Sequence, residues 1–514
     1  MAYEEPRLQT DDQIRTGHRA WLGLAVLALP TLLVSMDMTI LYLATPSLSA
    51  ALQPSGAELL WISDIYGFLI AGALIPMGAL GDRIGRRKLL LIGAAVFGTA
   101  SVLAAFSTSA PMLIAMRALQ GVAAATLAPS TLSLIRNMFL DPEQRTVAIS
   151  VWVMSYSAGA AIGPPIGGVL LEHFRWGSVF LINVPVMLAL IAIGPVLLPE
   201  FRDPEAGRLD PVSAVQSVAA VLAMIYGLKR IAEAGPGWFA ALSILSGIAV
   251  GAAFLQRQRK LADPLIDLKL FRFPAFSAAL LVNVLAFSTA FATFLFIAQY
   301  LQSVLGLSPL AAGLWGLPSA LAFIAGSMLA PAIVGRFHPA HVIAGGMTVS
   351  AAGFVLLALV DAVAPALAVL VAGSVVFSLG MTPVVVLTTG IVLEAAPPER
   401  AGAASALSET SSEFGGALGI AVLGSVVTAI YRGKIAGTLP AGVPAEAVEV
   451  ARATIGGAVS VSGELPDALG AELLGSAREA FAQAFGTTAA ISAVIAIGVA
   501  VLAAVLLRQA HEHA

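Results

Sequence analysis

Four acidic side chains stand inside stretches that are otherwise apolar. Asp37 lies in Ser-Met-Asp-Met-Thr-Ile, and Asp64 lies in Trp-Ile-Ser-Asp-Ile-Tyr. Glu409 and Glu413 are four residues apart, so they share one face of a helix. Two carboxylates one turn apart in a low dielectric cannot both ionise comfortably, so we expect at least one to hold a proton at neutral pH. The pattern indicates proton carriers or counter-charges for a cation. For Asp64, a solvated position at the mouth of its helix or a role in starting that helix stays open.

Arg117 is the only basic residue deep inside any of these apolar stretches. A buried arginine costs about 2.5–3.5 kcal/mol on insertion scales, so we expect it to face protein or a polar cavity. The alternative is snorkelling, because Arg117 lies about six residues from the outer end of its helix.

Aromatic residues accompany the acids. Trp61, Tyr66 and Tyr156 could supply apolar and cation–π surface for a flat lipophilic cation. The plainer alternative is that each faces lipid or fills the core.

Other chemistries find little support. The histidines lack metal-ligand spacing, and no cysteine is present, so we predict no metal site and no cofactor. There is no phosphate-binding G-x-x-x-x-G-K-S/T motif, so energy would come from an ion gradient. We therefore predict that the protein is not an enzyme.

Composition indicates a membrane protein. Of 514 residues, 58% are hydrophobic and 11% charged, against roughly 25% charged in soluble domains. The mean hydropathy is +0.92 and the net charge −3, with scattered basic residues, so we predict a membrane-lipid environment and no nucleic-acid partner. The acidic first twenty residues do not resemble a cleaved signal peptide, so the first span is expected to act as an uncleaved insertion signal.

Apolar runs long enough to cross a bilayer recur along the chain, which requires about 18 residues or more. Fourteen are predicted: 21–44, 57–80, 89–108, 111–135, 146–170, 176–198, 211–230, 239–256, 274–302, 308–333, 340–360, 364–393, 402–430 and 482–507. We number them spans 1 to 14. With the N-terminus inside, 19 Lys and Arg fall in inside segments and 7 in outside segments, which predicts two cytoplasmic termini.

Three sequence markers repeat at an offset of about 255 residues. Pro142-Glu-Gln-Arg resembles Pro398-Glu-Arg, Gly81-Asp-Arg has an echo in Gly335-Arg, and Gly159 and Gly163 are matched by Gly415 and Gly419. Spans 1–6 therefore correspond to spans 9–14, and spans 7 and 8 form an inserted pair.

The predicted organisation has five parts. They are a cytoplasmic N-terminal segment (1–20), an N-terminal six-helix bundle (21–198), the inserted pair with its loops (199–273), a C-terminal six-helix bundle (274–508) and a tail (509–514). The C-terminal bundle includes an outer segment, 431–480, that would form short amphipathic helices or a hairpin.

The loop between spans 2 and 3 contains residues suited to conformational control. Its glycines permit a tight turn, and Asp82 can cap the following helix or pair across the interface between halves. The residues concerned are Gly78, Gly81, Asp82, Arg83, Gly85 and Arg86. A purely topogenic basic loop is the alternative.

Span 5 carries a dense glycine and proline pattern. Its glycines share a helical face that another backbone can approach closely, while Pro164 and Pro165 lack amide protons and favour a bend. The residues concerned are Gly159, Gly163, Pro164, Gly167 and Gly168.

These motifs resemble three signatures of the major facilitator superfamily. Gly78–Lys88 resembles motif A, Arg117-Ala-Leu-Gln-Gly resembles motif B, and Gly159–Gly168 resembles the antiporter motif. The resemblance implies an all-α major facilitator fold of fourteen transmembrane helices, with two pseudo-symmetric six-helix halves plus the inserted pair. It also implies that the motif A loop latches the outward-facing state and that Arg117 takes part in proton transfer.

The acids and their neighbours narrow the resemblance to the fourteen-span, QacA-like drug:proton antiporter family. It implies a bacterial inner-membrane exporter, acting as a monomer, that exchanges protons for lipophilic cations such as quaternary ammonium compounds. The implied proton-coupling residues are Asp37, Glu413 and Arg117, and the implied substrate-binding residues are Asp37, Asp64, Glu409, Glu413, Trp61, Tyr66 and Tyr156. Span 10 lacks an acid that this group uses for some divalent compounds, which implies a narrower repertoire. Export of an endogenous metabolite, antibiotic, siderophore or lipid stays open as the alternative.

Overall fold

The computed structural model describes residues 17–54, 56–203, 209–360 and 366–512, and these residues contain helices and turns but no strand. Fourteen of the helices are long and apolar enough to cross a membrane. The spans run His18–Leu52, Gly56–Ile84, Arg86–Ala105, Ala110–Met138, Pro142–His173, Ser178–Leu181 with Asn183–Leu197, Pro211–Ala234, Trp238–Gln258, Pro274–Gln299, Pro309–Val334, Pro339–Ala358, Ala366–Ala395, Ala401–Ile435 and Asp467–Glu512. The predicted all-α membrane fold is confirmed.

Several helix starts are legible in the sequence. Ser109, Asp141, Asp210 and Ser308 each accept a hydrogen bond from a backbone amide in the first turn. A proline follows at the first or second position, where its missing amide proton costs nothing. Span 6 is interrupted at Ile182 because Pro185 cannot donate the next amide bond of the ladder.

The start of span 14 differs from the prediction, and the structure decides between the two alternatives for the outer segment. Span 14 begins at Asp467, so 467–480 belongs to that long helix and is no separate element. The rest of the outer segment contains two short helices, Ala445–Ala453 and Ile455–Ser462, so it forms helices and no hairpin. The Tyr431 hydroxyl holds the first against span 13 by donating to the Ala451 carbonyl at 2.8 Å.

Helix packing repeats between the two sets of six spans. Span 1 packs on span 5 as span 9 packs on span 13, and span 2 packs on span 4 as span 10 packs on span 12. Between the sets, span 2 packs on span 13 and span 5 on span 10. We call spans 1–6 and 9–14 the N-terminal and C-terminal halves. Span 7 lies against both spans 2 and 13, which places the inserted pair along one seam between the halves.

Candidate functional site

An ion pair between Asp37 of span 1 and Arg117 of span 4 lies inside the N-terminal half. Arg117 is 1% exposed and Asp37 is 6% exposed. Arg117 therefore does not snorkel toward the end of its helix, because its charge has a buried partner. Removing either charge would leave the other buried and uncompensated, which typically costs about 3–5 kcal/mol.

Polar side chains from three more positions complete this cluster. Arg117 Nη1 donates to Gln120 Oε1 at 3.2 Å, and Gln120 Nε2 donates to Ser101 Oγ at 2.8 Å. Asn183 Nδ2 lies 3.1 Å from Asp37 Oδ1 and 3.3 Å from Ser101 Oγ. Spans 1, 3, 4 and 6 thus share one buried hydrogen-bonded network, which fixes the orientation of the Asp37 carboxylate.

Tyr66 of span 2 links this network to the other half. Its ring lies 4.2 Å from the Arg117 guanidinium carbon, at cation–π distance. Electrostatic interactions connect its hydroxyl with Asp37 and Arg117 on one side and with Tyr156 and Glu413 on the other. The hydroxyl is buried and has no hydrogen-bond partner among the described residues. Tyr66 therefore contacts the ion pair and lies within electrostatic range of the acid of span 13.

Glu409 and Glu413 lie on span 13, and both are partly buried. They are close enough to repel each other when both are charged, and Tyr156 of span 5 interacts with both. The Tyr156 hydroxyl also lies 3.9 Å from Met38 Sδ, one residue after Asp37. These acids, Tyr156 and Tyr66 thus form one neighbourhood that spans both halves.

Asp64 pairs with a lysine that the sequence analysis did not single out. Lys229 of span 7 forms an ion pair with Asp64 at 2.5 Å, and its ammonium lies 4.6 Å from the centre of the Phe68 ring. Trp61 packs beside Phe68 at 6.3 Å between ring centres and is 45% exposed. Lys229 also interacts electrostatically with Glu413.

Asp82 connects the two halves on the side of the bundle where span 1 begins and span 14 ends. Its carboxylate accepts hydrogen bonds from the backbone amides of Gly402 and Ala403, both at 3.0 Å, and so caps span 13 of the opposite half. Arg86 pairs with Asp82 at 2.8 Å and donates to the Pro398 and Glu399 carbonyls at 2.7 and 2.8 Å. Of the two roles expected for Asp82, the structure shows pairing across the interface.

Glycines make this contact possible. A Cβ on Gly78 would lie 2.5 Å from the Gly402 carbonyl oxygen, so the two helices meet backbone to backbone. Gly85 has a φ of +108°, and a Cβ there would lie 2.7 Å from Glu200 Oε1. Both the positive φ and the lack of space for a side chain therefore favour glycine at position 85. Gly81 is helical and close to Leu89, so the turn depends on Gly85.

Two further groups of ion pairs, one centred on Asp263 and one between Arg145 and Glu394, connect the halves on the same side. Asp263, in the loop after span 8, accepts from Arg83 at 2.8 Å and from Arg400 at 3.1 Å. Arg145 at the start of span 5 pairs with Glu394 at the end of span 12 at 2.5 Å. The seam between the halves is thus held at both its span 13 and its span 12 edges.

The glycine face of span 5 meets span 1 as predicted. A Cβ on Gly159 would lie 2.1 Å from the Leu32 carbonyl oxygen, and one on Gly163 would lie 2.2 Å from Thr39 Oγ1. A Cβ on Gly167 would lie 3.2 Å from the Ile40 side chain, whereas Gly168 faces open space. The helix is continuous from Pro142 to His173. The Pro164 side chain lies outside the described part of the chain.

The repeated glycines behave alike. A Cβ on Gly415 would lie 2.4 Å from the Val284 carbonyl oxygen, and one on Gly419 would lie 1.8 Å from that of Ser288. Span 13 therefore approaches span 9 as closely as span 5 approaches span 1.

Sequence reasoning missed several partners. Asn183 was detectable as a polar residue in an apolar span, whereas Lys229 stands near the end of span 7, where a lysine is typical of an interfacial anchor. Asp263 lies in a loop that carries none of the motifs described above. Among the described residues there is no cluster of three or more His, Cys, Asp or Glu that could hold a metal.

Charged side chains are buried inside some of the fourteen spans, and the spans pack as two halves. This arrangement is that of a membrane transporter. The chain belongs to the Major Facilitator Superfamily, whose family profile matches residues 27–420. It is 42% identical over 500 residues to the multidrug efflux pump LfrA of Mycolicibacterium smegmatis, covering 97% of this chain and 99% of LfrA. It is 38% identical over 470 residues to the methyl viologen resistance protein SmvA of Salmonella typhimurium, covering 90% and 93%.

A solved structure supports the fold. The human organic anion transporter MFSD10 superposes with a TM-score of 0.60 at 16% identity, covering 92% of this chain and 98% of that one. The family profile and these relatives confirm the transporter class and the superfamily predicted from the motifs.

Proposed function

We propose that the protein is a proton-coupled multidrug antiporter that exports lipophilic cations, including quaternary ammonium compounds and cationic dyes. The observation that carries this proposal is the position of Tyr66, which contacts the Asp37–Arg117 pair and interacts with Glu413 of the other half. Tyr66 thus senses the charge of both acids, one from each half. The relatives named above support drug export, and methyl viologen is itself an organic dication.

Proton binding at Asp37 is the coupling step. Protonation removes the charge that Arg117 pairs with, so the guanidinium is left with Gln120 Oε1 and the Tyr66 ring. Arg117 Nε and Asn183 Oδ1 are buried without hydrogen-bond partners among the described residues, and both can bond when the cluster rearranges. Such rearrangement moves spans 1 and 4 relative to each other.

Glu413 and Glu409 form the cation-binding side of the exchange. A cation and a proton compete for the same carboxylates, which makes their occupancy mutually exclusive. Trp61, Tyr66 and Tyr156 supply aromatic surface, and Asp64 supplies a further carboxylate. Phe291 lies 3.0 Å from the position of a Cβ on Gly416, next to this acid face.

The contacts of Asp82, Arg86 and Asp263 hold one side of the carrier closed in this structure. We place both termini, and this side, in the bacterial cytoplasm because Lys and Arg concentrate there. The state shown is then closed to the cytoplasm, and the exporter acts as a monomer that rocks one half against the other. Breaking these contacts opens the carrier to cytoplasmic drug.

Everted membrane vesicles test the proposal. With an acidified interior, added ethidium should drive proton release, read with a pH-sensitive dye, and Asp37→Asn and Glu413→Gln should abolish it. Glu172→Gln is the matched control, because that exposed acid lies at the end of span 5, away from the proposed site and from the contacts between the halves. Ethidium transport without proton movement would sink the coupling, and no ethidium transport would sink the substrate class.

A further inference from the structure

Asp64 meets a cation that the chain itself provides. The Lys229 ammonium lies 2.5 Å from Asp64 Oδ1 and 4.6 Å from the centre of the Phe68 ring. Trp61 flanks that ring. A carboxylate beside aromatic rings is the environment in which proteins bind organic ammonium groups. The lysine thus occupies a complete cation-binding arrangement, which we call the Asp64 subsite.

The position of span 7 explains how the lysine reaches this place. Ile225, one turn before Lys229, packs with Phe68 and Ala71 of span 2 and with Ala417 of span 13. Ala417 is one turn from Glu413, so the same face of span 13 carries this acid toward the subsite. The inserted pair therefore supplies a charge to the seam between the two halves.

Exposure distinguishes this lysine from a structural ion pair. The side chains of Lys229 and Asp64 are 35% and 27% exposed, so solutes reach both. An exposed ion pair contributes about 0–1 kcal/mol, which a bound ligand can replace. By contrast, the Asp37–Arg117 pair is almost fully buried.

We propose that Lys229 is a tethered competitor that fills the Asp64 subsite in the substrate-free protein, so that a lipophilic cation must displace it to bind. The proposal rests on the proposed function, since it assumes a cationic substrate. From its position on Asp64, the ammonium also acts electrostatically on Glu413. Substrate entry thereby changes the charge next to the acid of the opposite half.

The test is an ethidium fluorescence titration of the purified full-length protein. Lys229→Gln should tighten binding about tenfold, the size expected for losing a partly exposed ion pair and a cation–π contact. Lys229→Arg should keep wild-type affinity because it retains the charge. Arg230→Gln removes a charge from the same turn but points about 100° away, so its affinity should also stay unchanged.

A second variant covers the case in which Lys229→Gln does not fold. Asp64→Asn should weaken ethidium binding. The subsite then keeps the positive charge of Lys229 but has lost the carboxylate that would bind the incoming cation. Unchanged or weaker binding by folded Lys229→Gln overturns the proposal, as does unchanged binding by Asp64→Asn. If neither the wild type nor Lys229→Gln binds ethidium, the cation-export function fails as well. If either overturning result is found while the wild type still binds and transports ethidium, only the tethered lysine is refuted and the proposed function stands.

Discussion

The Asp82 carboxylate accepts a hydrogen bond from the backbone amide of Gly402, 320 positions further along the chain. A side chain of one half thus caps a helix of the other, and the same oxygen also pairs with Arg86. If the halves separate here, this cap is lost, and so are the hydrogen bonds that Arg86 donates to the Pro398 and Glu399 carbonyls.

Asp82→Asn should loosen this closure without unfolding the protein. The amide nitrogen of asparagine cannot accept from Ala403, and the neutral side chain cannot pair with Arg86. The chain lacks cysteine, so a single Leu407→Cys, one turn beyond Ala403, reports access by its rate of maleimide labelling. We expect maleimide added on the side where span 1 begins and span 14 ends to label this cysteine faster when Asp82→Asn is present than when Asp82 is retained.

Asp141→Asn is the matched control for that measurement. Asp141 caps span 5 within its own half by accepting from the Glu143 amide at 3.2 Å. Its loss should leave Leu407→Cys labelling unchanged. Equal labelling in the Asp82 variant and the wild type would contradict a latch.

Gly159→Ala should destabilise the protein, because the new methyl would lie 2.1 Å from the Leu32 carbonyl oxygen. Overpacking of this kind costs about 1–3 kcal/mol. Gly168→Ala, in the same helix but facing open space, should be neutral or slightly stabilising because alanine favours helix. Thermal unfolding in detergent compares the two, and equal midpoints would argue against close packing of spans 1 and 5.

Asp37→Asn and Arg117→Gln should each lower stability by about 3–5 kcal/mol, since each leaves one buried charge unpaired. The double variant should recover much of that stability, because no charge remains. It should still fail to couple ethidium to protons. A double variant that transports normally would show that the pair serves structure alone.

Asp210 provides a test outside the spans. It accepts from Arg257 Nε at 2.6 Å and Nη2 at 3.0 Å, and from Ser213, and these bonds, chiefly those of Arg257, hold the Asp210 pKa well below its usual value. Asp210→Asn should therefore lower the thermal midpoint at neutral pH. Because the folded-state pKa is depressed, the stabilisation is fully present above about pH 4 and declines as the pH falls toward the lowered value.

The difference in midpoint between wild type and Asp210→Asn should accordingly shrink from pH 7 to pH 3. Asp267→Asn, in the loop after span 8, is the comparison, since that carboxylate accepts from the Lys269 amide. A difference that grows on acidification would contradict the assigned sign.

Charges within apolar stretches were the most readable part of the sequence, because each must be compensated. Asp37 and Arg117 were recognisable singly, yet their pairing depends on how spans 1 and 4 rotate, which periodicity does not define. The repeated glycines predicted close packing, and Gly415 and Gly419 show it against span 9. Lys229 escaped because a lysine near a helix end looks like an interfacial anchor. Its true partner lies in a span about 165 residues earlier, a relationship that only tertiary packing creates.

Asp263 stands in the loop that follows the inserted helices and touches Arg83 and Arg400 together. Excising residues 199–273 to make a twelve-helix carrier would remove that shared anion and leave two guanidinium groups facing each other. The loop after the inserted pair thus balances charge at the seam between the halves. A twelve-helix carrier would need a new acid at this position before this side could close.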